Sequence, residues 1–178
     1  SILWLAIKEP QGGRELISES SHQGLLIRAQ ETATRRGIEV VQPLLDLDDM
    51  QSISIYDVWG GFVHQLAQAS RRYAVENVLS ARVYSVENPD AKTRTELQWQ
   101  ADWTLLEAGN TTSGTVTGED QEQTVIALIN SLADNLATKY AIDFSRLDPN
   151  AQRTVVSIKN LTNLRQYGEI VKFFNGLS

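Results

Sequence analysis

Cysteine is absent from this 178-residue chain. That excludes disulfides, thiolate metal sites and cysteine nucleophiles, though it leaves the redox compartment open. Histidine is scarce, with only His22 and His64. Basic clusters are missing too. No run of Lys or Arg exceeds the pairs Arg35-Arg36 and Arg71-Arg72, and the formal charge is −6. Binding to nucleic acid needs a concentrated basic face, so no nucleic-acid partner is expected. Long hydrophobic runs are also lacking. The longest, residues 2–7, is far short of the ~20 residues that cross a bilayer as a helix, and no signal-peptide pattern is visible.

What is present is ordinary for a globular protein: 42% hydrophobic and 21% charged residues, enough for one domain with a real core. Residues 2–7 form a continuous apolar run, which suits a strand buried on both faces. Gln11, Gly12 and Gly13 break it. Leu25, Leu26, Ala29 and Ala33 mark an amphipathic helix over 21–36, stopped by Gly37. Residues 38–41 read as a second short strand, ended by Pro43. From Ser54, apolar residues Ile55, Val58, Trp59, Phe62, Val63, Leu66 and Ala69 recur at helical spacing, with Ser54 as N-cap and Asp57 in a capping-box position. A meander follows. Its strands are 78–86, then 95–105 with Leu97, Trp99, Ala101, Trp103 and Leu105 on one face, then 114–118 after a turn over 107–113. Residues 120–140 form a helix with Val125, Ile126, Ile129, Leu132, Ala133 and Leu136 as its stripe.

The predicted fold is α/β (α+β): a mixed parallel and antiparallel sheet of about five strands packed with helices. The predicted order is β-α-β-α-β-β-β-α over residues 1–143, with residues 2–7 and 38–41 as a parallel pair. Residues 144–152 read as a linker. Residues 153–178 read as a β-α unit, with a strand at 154–158 and Leu164, Tyr167, Ile170, Val171 and Phe174 on the helix. A lone β-α unit is too small to hold a core. The strand is therefore expected to pair with a sheet edge or with a second copy of the chain, making a homo-oligomer, and the native chain to continue past Ser178.

The richest stretch for chemistry is the loop with Asp46, Asp48 and Asp49, followed by Asp57, Gly60 and Gly61. Carboxylates at this density are candidate ligands for a hard cation such as Mg²⁺ or Ca²⁺, with Asp46, Asp48 and Asp49 as the metal candidates. The loop lacks the glycine and the glutamate register of an EF-hand. The competing reading is that these aspartates cap turns and helices. Asp57 and His64 lie about two helical turns apart, too far to hydrogen-bond, and no nucleophile-elbow motif accompanies Ser70. His22 precedes a helix and reads as exposed or capping. Gly60 and Gly61 fit no phosphate-binding motif. They fall inside the helical pattern, where they would allow close approach of helix to sheet beside Trp59. Arg71 and Arg72, which complete the candidate binding loop, follow at a helix end, where cations complement the dipole; an anion site is the alternative. Nothing in the sequence calls for a cofactor.

Residues 37–49 (Gly37, Ile38, Glu39, Val40, Val41, Gln42, Pro43, Leu44, Leu45, Asp46, Leu47, Asp48, Asp49), then 57–61 and 69–73, resemble an uncharacterised proteobacterial family of exported proteins, domain-of-unknown-function family twenty sixty-six. Leu3, Trp4 and Leu5 and the Trp-rich 97–103 fit the same pattern, so the resemblance covers most of 2–140. It implies a periplasmic or envelope location and brings no catalytic residues. The layout is also similar to the amino-terminal domain of TolB and to the curli secretion protein CsgG, which is an analogy of fold alone. The expected role is non-enzymatic binding of a protein or other envelope component. The alternative is a metal-dependent hydrolase or transferase working from the Asp46 to Asp57 loop.

Overall fold

A computed structural model describes residues 1–87 and 97–140, together with 166, 167, 170, 172 and 173. The chain divides into two compact units, Ser1–Ala141 and Ile142–Ser178. In the second, the five described residues are helical, with Tyr167 and Phe173 exposed. The expected linker 144–152 and the strand 154–158 lie outside the described residues.

The first unit is a mixed sheet of five strands: β1 (Ile2–Lys8), β2 (Arg14–Leu16), β3 (Val78–Glu87), β4 (Leu97–Glu107) and β5 (Asn110–Gly118). Its order is β2-β1-β3-β4-β5, with β1 and β3 parallel and every other pair antiparallel. The helices are α1 (Gln23–Arg35), α2 (Leu47–Ser52), α3 (Ile55–Trp59), α4 (Val63–Ala69) and α5 (Gln121–Tyr140), with a 3₁₀ turn over Ser70–Tyr73.

The period of two along β1 divides the core. Leu3, Leu5 and Ile7 join Leu79, Ala81, Val83, Ala101, Trp103 and Leu105 on one face, under α1 and α5. Ile2, Trp4 and Ala6 join Val78 on the other, with Ile53, Val58 and Leu66. β1 is thus buried on both faces, as its unbroken apolar run requires. Trp4 shows how such a residue is accommodated. Its indole N–H donates to Ser70 Oγ at 2.9 Å, and the Ser70 hydroxyl donates to the Leu66 carbonyl at 2.6 Å. Truncating a buried Trp to Ala costs about 3–5 kcal/mol.

Three local expectations are corrected. The parallel ladder of β1 is with β3, and residues 38–41 meet β1 in the expected parallel direction but through one bridge only, Val41 to Ile2. The reason is space. Along that edge of β1, β2 pairs with Ala6, Ile7 and Lys8, so Val41 reaches only its start, and Pro43 has no N–H to extend a ladder. The helix predicted from Ser54 through Ala69 is two helices, α3 and α4, broken at Gly60 and Gly61, with Gly61 at φ +67°. The turn predicted over 107–113 is a two-residue hairpin. Ala108 (φ +48°) and Gly109 (φ +81°) both lie in the left-handed region that suits the strand twist. β5 therefore starts at Asn110 rather than Gly114.

Candidate functional site

The acidic loop folds around one cation. Asp46 is the N-cap of α2, and its Oδ1 accepts from the Asp49 N–H at 3.1 Å. Arg72, from the 3₁₀ turn, donates Nη1 to Asp46 Oδ1 and Nη2 to Asp46 Oδ2, each at 2.6 Å. It also reaches Asp49 Oδ1 at 3.2 Å, while Asp48, largely exposed, stands 3.9 Å away. Asp49 is buried, at 1% exposure. Its Oδ2 accepts from the Leu45 N–H at 2.9 Å and from the Tyr73 hydroxyl, and that same phenol oxygen accepts from the Leu44 N–H at 2.9 Å.

Both inward-facing carboxylates thus have a structural task. Leu45 sits at φ +50°, a costly conformation for a residue with a Cβ, and its N–H is held there by Asp49. The hydrogen bonds from Arg72 and from the Asp49 N–H hold the Asp46 carboxyl down at about 2, and Asp46 raises Arg72 in return. Burial, then the bond to Asp49, raises Tyr73. The guanidinium occupies the place between Asp46 and Asp49 that a hard cation would need. Among the described residues, no group of three or more His, Cys, Asp or Glu side chains is arranged to hold a metal ion.

The other candidates serve turns. Asp57 Oδ2 accepts from the Ser54 N–H at 2.7 Å and from the Ser54 hydroxyl, the reciprocal half of a capping box. Gly60 ends α3, where a Cβ would lie 2.9 Å from the Phe62 ring. Gly61 lies beside Thr104 of β4, where a Cβ would make only ordinary contact, so the glycine pair serves the turn between α3 and α4 rather than the expected close approach of helix to sheet. Arg71 is exposed on the 3₁₀ turn. The structure therefore brings Asp46, Asp48, Asp49 and Arg72 together, and leaves Asp57, Gly60, Gly61 and Arg71 to separate local roles. His22 is the N-cap residue of α1, yet its side chain makes no capping bond. It lies 3.5 Å from Glu15 and 3.8 Å from Glu9.

What this scaffold presents is apolar. Leu44 is 70% exposed, Leu47 71% and Met50 57%. Leu47 and Met50 are three apart on α2 and share a face. Beside them runs a groove of about 750 Å³, whose lining includes Leu16, Pro43, Leu44, Met50, Ile53 and Ile55. Hydropathy alone does not single these residues out, because exposed and buried leucines look the same in sequence. The available signal is the tight spacing of aspartates around them, which fixes the backbone and leaves the leucines no core to enter.

A second polar cluster has no counterpart among the sequence motifs. Asp102 of β4 accepts from Arg82 Nε and Nη2 at 3.0 and 2.9 Å, Tyr84 at 2.8 Å, Thr115 at 2.8 Å and Gln100 at 3.0 Å. Burial raises its carboxyl, but the bonds from Thr115, Tyr84, Arg82 and Gln100 outweigh it and leave the net shift downward. The signal was there: the alternation that places Trp99, Ala101 and Trp103 on one face puts Gln98, Gln100, Asp102 and Thr104 on the other.

No protein-family model and no curated protein matches the chain. The resemblance to the exported family therefore rests on the residues named for it alone. Among solved structures, the chain is similar to the crystal structure of lipoprotein GNA1162 from Neisseria meningitidis, at 10% identity over 78% of this chain and 96% of that chain. The TM-score is 0.33, too low for the likeness to carry an argument about fold or function.

Proposed function

We propose that this chain is a non-enzymatic cell-envelope protein that binds a protein or other envelope component through the exposed apolar surface of Leu44, Leu47 and Met50 and the groove that Leu44 and Met50 line. The observation that carries the reading is the contrast within one loop. Its buried carboxylate, Asp49, is engaged by Leu45, Tyr73 and Arg72, and Leu45 packs against the core, while Leu44, Leu47 and Met50 face solvent. Clustered apolar exposure on a rigid support has a hydrophobic cost unless something covers it. The envelope location is supported by the family resemblance of residues 37–49, 57–61 and 69–73.

The test is affinity capture from the native envelope with the wild-type chain and with a Leu44→Asp, Leu47→Asp double variant. Both positions are largely exposed, so folding should be little changed. The reading expects a companion recovered in fixed ratio with the wild type and lost from the variant, at equal melting temperature. Equal recovery by both would refute it.

A further inference from the structure

We infer that two copies of this chain pair antiparallel through β5, about a twofold axis at Gly114, to make one continuous sheet. The two edges of the sheet are managed differently. β2 has three residues, two of them charged, Arg14 and Glu15, which are the usual devices that keep an edge from pairing. β5 has nine residues, Asn110, Thr111, Thr112, Ser113, Gly114, Thr115, Val116, Thr117 and Gly118, with no charge and no proline. Its register with β4 is unbroken from Trp99↔Gly118 to Glu107↔Asn110, so no bulge twists it away. Among the described residues, its outer edge has no strand partner.

The sequence of this edge is nearly symmetric. With Gly114 on the axis, Ser113 meets the second copy's Thr115, Thr112 meets its Val116, and Thr111 meets its Thr117. Each pair is an even number of residues apart, so side chains of the same sheet face meet. Thr–Thr and Thr–Ser pairs are favourable across strands. No like charges meet along the edge, although the chain carries a net −6. A self-matching edge fits a second copy better than a partner of unrelated sequence.

A second observation lies at the same centre. Trp103 is only 4% exposed, and its indole N–H has no hydrogen-bond partner among the described residues. That nitrogen lies 2.9 Å from where a Cβ on Gly114 would sit. Trp103 also lines a cleft of about 740 Å³ with Thr112, Ser113, Ser131, Asn135 and Thr138. A second copy docked on this edge brings hydroxyl acceptors beside the axis, and the orphan donor lies within a residue of it.

The experiment is mass measurement of the full 178-residue chain by light scattering or sedimentation across a dilution series, with amide exchange of residues 110–118 at each concentration. The expected mass is twice 19.9 kDa, falling on dilution, with β5 exchange slowing as concentration rises. Thr112→Lys and Thr117→Lys, both at exposed positions, are each expected to leave a folded monomer. A mass of 19.9 kDa at every concentration, or a dimer that survives both variants, overturns the inference. Should either variant fail to fold, β5 exchange in the wild type decides: no dependence on concentration overturns it.

Discussion

Arg72 grips Asp46 through both terminal nitrogens, each to its own carboxylate oxygen at 2.6 Å. This bidentate geometry is the strong form of an ion pair. It ties the 3₁₀ turn that follows α4 to the cap of α2 and so fixes the loop that carries Leu44 and Leu47.

The pairing makes stability depend on acid. The folded Asp46 carboxyl is held at about 2, below the free value of about 3.9. The folded state therefore holds this proton less tightly than the unfolded chain does. The contribution is complete above about pH 4–5 and is lost as pH falls toward 2. Glu107, lowered by Lys139 and Tyr140, acts in the same direction. Arg72→Met should flatten the acid limb of a urea-midpoint against pH profile. An unchanged limb would mean the pair contributes nothing.

Asp49 is the buried member of the cluster. Asp49→Ala leaves the Leu45 N–H without its acceptor and removes the partner of Tyr73. The expected cost is about 2 kcal/mol or more in urea unfolding. Asp48→Ala, at an exposed carboxylate, should fall within about 0.5 kcal/mol of wild type.

Gly114 faces Trp103 across β4 and β5. A Cβ there would lie 2.6 Å from the indole, so Gly114→Ala should cost about 1–3 kcal/mol through overpacking. At Gly118 a Cβ would meet the Thr124 backbone nitrogen at 2.7 Å. Backbone cannot rotate aside, so Gly118→Ala should cost at least as much. Denaturant midpoints of the two variants give the comparison.

Ala108 offers a gain. It holds φ +48° at an exposed hairpin position where Asn is better suited. Ala108→Asn should stabilise by about 0.5–1 kcal/mol, read as a raised urea midpoint with unchanged slope.

Much of this architecture was legible in the sequence, because long periodic patterns survive tertiary context. The double burial of β1 and the Trp-bearing face of β4 follow directly from spacing. The stripe of α5 follows in part: Val125, Ile129, Leu132 and Ala133 are buried as expected, but Leu128 takes the core position expected of Ile126. β2 was not legible, since a three-residue charged strand carries no period. Residues 38–41 have the composition of a strand, but whether they pair depends on which segment reaches β1 first, and that is a non-local fact. The break at Gly60 and Gly61 was visible as glycine but outweighed by apolar residues that continue in phase across it. In the candidate site, the capping tasks of Asp46 and Asp57 were readable from local spacing. The grip of Arg72 on Asp46, 26 residues away, was not, because only the fold brings them together.

The most direct test of the binding account is photo-crosslinking from position 47 in cells. A crosslinking amino acid replaces Leu47 in one variant and Glu31, an exposed residue of α1, in a control. The account predicts one discrete adduct from position 47, none from position 31, and loss of the adduct when Leu44→Asp is added. No adduct from position 47 above the control, or one indifferent to Leu44→Asp, would contradict it.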